Sequence, residues 1–260
     1  MTVEIPSVPL RGGLAMPLLG LGTWQAQGQR GYEAVRFALQ AGYRHLDTAT
    51  MYRNETEIGR AVRDSGVPRQ EIFITTKLPP GRAGSVRQTI LQSLRELQTD
   101  HVDLWLVHWP PGGARPEVWR QFLAVRDEGL ARAVGVSNYS VAQIDELLAA
   151  TGEAPTVNQI PWGPSHFDPA LVTAHRDRGV VVEGYSPFKN TNLRGRVLGE
   201  IARTHEVSPA QVVLRWHLQH QIVVIPKSVT PARLKENLDI LGFRLTAAEL
   251  ASIDALGRRG

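Results

Sequence analysis

The 260-residue chain has no cysteine. This excludes disulfides, a thiolate nucleophile and cysteine-ligated metals, and no metal of any kind is expected. No uninterrupted apolar run reaches about 18 residues, so no membrane span is expected. The N-terminus, Met1-Thr-Val-Glu-Ile-Pro6, lacks the basic-then-apolar pattern of a signal peptide. Together these features lead us to expect a cytoplasmic protein. No low-complexity stretch, Gly-rich linker or compositional break divides the chain, so one domain spanning residues 1–260 is expected. No dense basic run occurs beyond Arg258-Arg259. Scattered charge of this kind belongs to a solvated surface rather than to nucleic-acid binding.

Lysine is the other scarcity. Only Lys77, Lys189, Lys227 and Lys235 occur, against 25 arginines. That bias explains how a net charge of only +4 coexists with an isoelectric point near 9.7. Where arginine supplies the generic charge, a retained lysine raises a chemical question. Lys77 and Lys227 both follow apolar strand-like runs.

What is present is ordinary for a globular protein, with 42% hydrophobic and 21% charged residues. Short apolar runs alternate with helical patterns from end to end. The strand candidates are Leu18–Gly22, Tyr43–Asp47, Ile72–Lys77, Val102–His108, Ala133–Ser137, Thr156–Gln159, Val180–Tyr185 and Ile222–Pro226. Capping-box spacing at Asn54/Glu57, Ser85/Gln88, Ser140/Gln143 and Thr246/Glu249 marks helix starts. Asp168-Pro169, Ser208-Pro209 and Thr230-Pro231 mark others, and Gly42, Gly66, Gly129 and Gly179 mark ends. Eight such units fit a single-domain (β/α)8 TIM barrel, with an open doubly wound sheet as the alternative. The segment Glu4–Leu18 fits a short hairpin capping the barrel bottom, turning at Arg11-Gly-Gly13.

In a parallel barrel the loops after the strand C-termini share one face. Asp47, Lys77 and His108 end three successive runs, and Tyr52 lies in the loop after the first of them. A phenol titrates near 10, and a neighbouring ammonium lowers that value. Tyr52 is therefore expected to give a proton to a developing alkoxide, tuned by Lys77, which Asp47 holds. His108 is expected to bind the carbonyl oxygen. Singly, each residue also fits a cap, a packing group or a structural ion pair. Four converging on one face point to carbonyl reduction. Thr230-Pro231 opens a helix whose amides favour an anion, flanked by Lys227 and Arg233. This suits a phosphate dianion, and structural salt bridges are the alternative.

The ordered motifs Gly42-Tyr-Arg-His-Leu-Asp-Thr-Ala49 with Glu55 and Ile58-Gly59, Val134-Gly-Val-Ser-Asn-Tyr139, and Ile225-Pro-Lys-Ser-Val-Thr-Pro-Ala-Arg-Leu-Lys-Glu-Asn237 resemble the signatures of the aldo-keto reductase family. The likeness runs from Gly20-Leu-Gly-Thr-Trp24 to Asn237 and is nearest the bacterial, 2,5-diketo-gluconate reductase-like branch. It implies NADPH bound without a Rossmann fold, consistent with the missing Gly-x-Gly-x-x-Gly. It maps Asp47, Tyr52, Lys77 and His108 onto the catalytic tetrad. It implies carboxamide contacts from Ser137, Asn138 and Gln159, and nicotinamide stacking on Tyr185. Lys227, Ser228, Thr230 and Arg233 fall at the 2′-phosphate site, with Glu236 and Asn237 near the adenine. Gly22, Thr23, Trp24, Asp47, Ser186, Pro187, Phe188 and Val229 complete the implied cofactor contacts.

The chain departs from the family's pattern in several places. Ile160-Pro-Trp-Gly-Pro-Ser-His-Phe167 replaces a segment where many relatives have an acidic residue and a His-Pro pair. The loop Trp109-Pro-Pro-Gly-Gly-Ala-Arg115 is short, as is Phe188–Arg196, and no long tail follows the Thr246 helix. An open pocket is expected, lined by Trp24, Trp109 and Trp162, with Tyr52 and His108 also meeting substrate. It suits a small carbonyl partner: aldehydes, α-dicarbonyls or keto sugars, reduced by a monomer. Two other readings use the same residues. One is an NADPH-binding regulatory subunit with negligible turnover, and the other is a phosphate-handling lyase or isomerase.

Overall fold

Eight parallel strands follow one another around a barrel in chain order, in a computed structural model describing residues 5–257. The expectations drawn on Met1–Glu4 and on Arg258-Arg259 lie outside the described residues. The strands are β3 Leu21–Gly22, β4 His45–Asp47, β5 Phe73–Leu78, β6 Val102–Val107, β7 Ala131–Ser137, β8 Val157–Pro161, β9 Val181–Tyr185 and β10 Val223–Val224. The helices that follow the first six are α1 Gly28–Ala41, α2 Glu55–Asp64, α3 Val86–Leu97, α4 Pro116–Asp127, α5 Val141–Thr151 and α6 Pro169–Arg176. Helices α7 Arg196–Thr204 and α8 Pro209–Gln219 both follow β9, α9 Pro231–Leu238 follows β10, and α10 Ala247–Asp254 is last.

The barrel closes where its first and last strands meet. Gly20 N donates to Val224 O at 2.9 Å and Val224 N to Leu18 O at 2.8 Å. Isolated parallel bridges join Leu19 to Val224 and Gly22 to Lys227. Regular pairing in these two strands is shorter than the apolar runs Leu18–Gly22 and Ile222–Pro226, because Pro226 brings no N–H to the seam. The hairpin forms at the other end of the barrel, from β1 Ser7–Pro9 and antiparallel β2 Ala15–Pro17. Its turn needs glycine, since Gly12 and Gly13 have φ of 87° and 83°. Arg11 pins it by donating to the carbonyls of Ala154 and Pro155, just ahead of β8.

Strands β5 and β6 are buried at every position, as expected for parallel strands with helices outside and a filled barrel inside. Alternation sorts their two faces. The outward set packs on helices: Trp105 stacks on Phe122 of α4 at 4.1 Å, and Thr76 donates to Glu55 of α2. The inward set forms two polar rows: Gly22 opposite Asp47 and Asp47 opposite Thr75, then Ser137 opposite Gln159 and Gln159 opposite Glu183. Polar side chains therefore converge inside the barrel.

Helix starts at Ser140 and Thr246 carry full capping boxes, and Asp168 caps Ala170 and Leu171. Ser208 makes a box too, with Gln211. Asn54, Ser85 and Thr230 precede helices but make no side-chain cap bond. Gly59 serves packing, because a Cβ there would lie 2.5 Å from Leu97 O and 2.8 Å from Glu96 O. Those atoms are backbone at the end of α3 and yield little. Gly59→Ala is expected to destabilise the fold by about 1–3 kcal/mol, read as a lower urea midpoint with unchanged slope. A midpoint equal to wild type would show that α2 can simply shift away.

Candidate functional site

Asp47 and Lys77 form a buried ion pair at the C-terminal end of the barrel. Lys77 Nζ donates to Asp47 Oδ1 at 2.6 Å and to Thr48 O at 2.7 Å, and Gln159 Nε2 donates to Asp47 Oδ2 at 2.8 Å. The Lys77 and Asp47 side chains are 0% and 2% exposed. Burial pushes the Asp47 carboxyl up, and the Lys77 charge and the two hydrogen bonds oppose that. Burial would lower the lysine, but Asp47 and then Tyr52 hold its ammonium above its ordinary value. The proton of this pair stays on nitrogen.

Tyr52 ends a single 3-10 turn, Thr50–Tyr52, which one side chain of its own and one from the loop after β3 clamp in place. Gln27 donates to Tyr52 O at 2.6 Å, and Thr50 Oγ1 donates to Lys77 O at 2.9 Å. Asn54, expected as a cap of α2, is instead fully buried. Its amide donates to Thr23 O and Ala26 O and accepts from Thr48, tying the loops after β3 and β4 together. The phenol ring lies with its centre 5.3 Å from Lys77 Nζ and meets His108 edge-on at 5.9 Å.

One expectation about this phenol needs correcting. The Lys77 charge does lower it, but burial is the larger effect, and the net result lies above the ordinary tyrosine value. Tyr52 is thus a fully protonated donor at neutral pH rather than one poised near it. His108 is neutral there, since burial and then the Lys77 charge lower it to about 3. Its Nδ1 is enclosed without a partner. A bare lone pair is cheaper to bury than an orphaned N–H, which puts the proton on Nε2.

Asp47, Tyr52, His108 and Gln159 floor a cavity of about 420 Å³ whose other lining residues are Gly22, Trp24, Met51, Trp109, Ser137, Asn138, Tyr185, Ser186, Ile225 and Lys227. Trp24, Met51 and Trp109 stand at its mouth, 58%, 55% and 46% exposed. Tyr185 Oη donates to Asn138 Oδ1 at 2.9 Å, and Asn138 donates to His108 O and Ser137 Oγ. Trp162, expected on this rim, is not there. It is 1% exposed and packs edge-on to Phe167 in a separate apolar cluster, because its neighbour Pro161 takes the inward register beside Tyr185.

Other expected cofactor residues divide by position. Thr23 is fully buried, and its hydroxyl donates to Asp47 O, so it braces the backbone. Pro187 and Phe188 lie behind the cavity wall, with Pro187 O against Gly163 and Phe188 packed on the core. Lys227 borders the cavity and leads to the start of α9, where Thr230 and Arg233 are exposed and Ser228 and Asn237 are buried. Val229 and Glu236 are half-buried there. Met51, Ile225 and, beneath the site, Glu183 were missed from the sequence. Glu183 was visible only as a carboxylate inside an apolar strand run.

The model of the aldo/keto reductase family matches residues 18–258. Methylglyoxal reductase DkgA of Yersinia pestis is 40% identical over 261 residues, covering 98% of this chain and 94% of that protein. The chain belongs to the aldo/keto reductase family. It is therefore an oxidoreductase of carbonyl groups on a (β/α)8 barrel, as its signatures implied. Solved aldo/keto reductase structures superpose along its length. One from Brucella melitensis has a TM-score of 0.94 at 40% identity, covering 97% of this chain and 100% of that one. One from Bombyx mori, in complex with NADP, has a TM-score of 0.91 at 31% identity, covering 98% and 94%. Membership excludes the lyase or isomerase reading.

Proposed function

We propose that this aldo/keto reductase is an NADPH-dependent reductase of small aldehydes, α-dicarbonyls or keto sugars, with Tyr52 as the general acid. The observation that carries this reading is the buried Asp47–Lys77 pair set against Tyr52 and His108 on the floor of one cavity. NADPH, when bound, supplies the hydride that reaches the carbonyl carbon. His108 Nε2–H holds the carbonyl oxygen and aligns it. Tyr52 gives that oxygen its proton, and Lys77, held charged by Asp47, stabilises the phenolate left behind. The half-exposed Trp24, Met51 and Trp109 leave room for short substrates of varied shape.

The residues present fit the cofactor. The Tyr185 ring, with Ser137, Asn138 and Gln159 beside it, offers an aromatic face together with donors and acceptors for a carboxamide. Among the described residues, neither Lys227 nor Arg233 forms an ion pair, and Thr230 leaves the first amides of α9 uncapped. Both charges and the helix N-terminus are thus available to a 2′-phosphate. A single chain supplies every group, which supports a monomer; no helix among the described residues is long and apolar enough to cross a membrane. We take its compartment to be the cytoplasm.

The test is NADPH oxidation by the purified protein with methylglyoxal and with a keto sugar. Tight NADPH binding without turnover on any carbonyl would instead make it a regulatory subunit. Arg233→Ala is expected to raise KM for NADPH by roughly 10- to 100-fold, the loss of a charge-assisted contact, and to leave NADH nearly unchanged. Equal effects on both cofactors would remove Arg233 from the phosphate site.

A further inference from the structure

Glu183 of β9 is fully buried inside the barrel, and neither of its carboxyl oxygens makes a well-formed hydrogen bond, although the neighbouring Gln159 amide partly offsets its burial. A lone buried carboxylate is costly, so its presence in an otherwise apolar strand calls for a reason. It sits beside Gln159 in register, and Gln159 is the residue that holds Asp47. His45 Nε2 lies 3.7 Å from Glu183 Oε1 and 3.3 Å from Thr75 Oγ1. The His45 ring packs directly on Gly20, where a Cβ would lie 2.5 Å from Nδ1. The titratable groups whose field reaches Glu183 are His45 and Asp47 from β4, Lys77 from β5 and Tyr52 from the turn after β4, with neutral Gln159 of β8 beside it in register. Strand β10 contributes only Val223.

We propose that Glu183 is a positioning residue that keeps Tyr52 protonated from beneath and so sets the alkaline end of the carbonyl-reducing range. This rests on Tyr52 as the proton donor. His45 does not neutralise Glu183, because burial lowers the imidazole to about 3 and leaves it uncharged. Burial and then the Asp47 charge raise Glu183 to about 8. At neutral pH the carboxyl is accordingly protonated, and Asp47 is the one anion facing Lys77. Above that range Glu183 ionises before the phenol does. Its charge then opposes phenolate formation at Tyr52 and strengthens the hold on the Lys77 proton. Reduction requires the phenol protonated, so this added anion extends activity to higher pH.

The test compares pH profiles of kcat for wild type, Glu183→Gln and Glu183→Asp with saturating NADPH. In Glu183→Gln the alkaline limb should move to lower pH by roughly half a unit or more, with KM for NADPH unchanged. Glu183→Asp, which keeps the charge, should restore the wild-type limb. A limb that stays in place in Glu183→Gln, or equal losses in both variants without any shift, overturns the proposal. If Glu183→Gln does not fold, infrared titration of the wild-type protein decides. A carboxylic C=O band present at neutral pH and lost as the pH passes about 8 supports it, and a carboxylate already at neutral pH overturns it. Tyr52→Phe run alongside separates the two readings. An active Tyr52→Phe defeats the acid assignment itself, whereas an inactive one with an unmoved Glu183→Gln limb defeats only the role of Glu183.

Discussion

Tyr52→Phe is expected to lower kcat for carbonyl reduction by about 10²- to 10⁴-fold, the usual range for removing a positioned general acid. The change deletes one oxygen and keeps the ring, so the edge-on contact with His108 at 5.9 Å survives. The backbone is held by Gln27 and Thr50 rather than by the phenol, and the turn should keep its place. NADPH affinity, measured by quenching of the cavity tryptophans, should stay near wild type. A drop in kcat without a drop in binding marks a group needed in the transition state alone. Near-normal NADPH consumption by this variant with a reactive aldehyde would remove Tyr52 from the role.

Lys77→Met should inactivate the protein and also destabilise it by about 3–5 kcal/mol, because it leaves one half of a buried ion pair behind. Asp47 would retain only Gln159 as a side-chain partner while staying 2% exposed. The double variant Asp47→Asn/Lys77→Met removes the stranded charge and should recover part of the lost stability. It should recover none of the activity, because no ammonium remains to stabilise the phenolate. Urea midpoints separate the two effects. A single variant as stable as the double one would mean that Asp47 simply takes up a proton at little cost. Arginine at position 77 would not substitute, since its fork is larger than an ammonium and the site allows no exposure.

Much of this was legible from residue order. Short apolar runs together with glycine, proline and cap signals located the eight strands to within a few residues, because these are properties of local sequence. The same local rules failed where a tertiary partner competed. Asn54 has the spacing of a cap, yet Thr48 of its own loop and two carbonyls of the loop after β3 claim its amide. Trp162 looked like a rim aromatic, yet the barrel register turned it into the second core. Thr23 lies in a cofactor-like motif, yet its hydroxyl braces Asp47 from behind.

By itself the sequence determined the repeat of strand and helix, the order of the polar residues at the strand ends and the family to which they belong. Side-chain type and spacing are local properties and survive without coordinates. Only the tertiary structure decided how those groups act on one another. Burial, which depends on what packs from every side, outweighs the Lys77 charge and keeps Tyr52 a protonated phenol. Barrel closure, which joins residues more than a hundred positions apart, sets Gln159 on Asp47 and places Glu183 beneath them both. Protonation inside a protein follows solvation and field, and neither is written in any one segment of the chain.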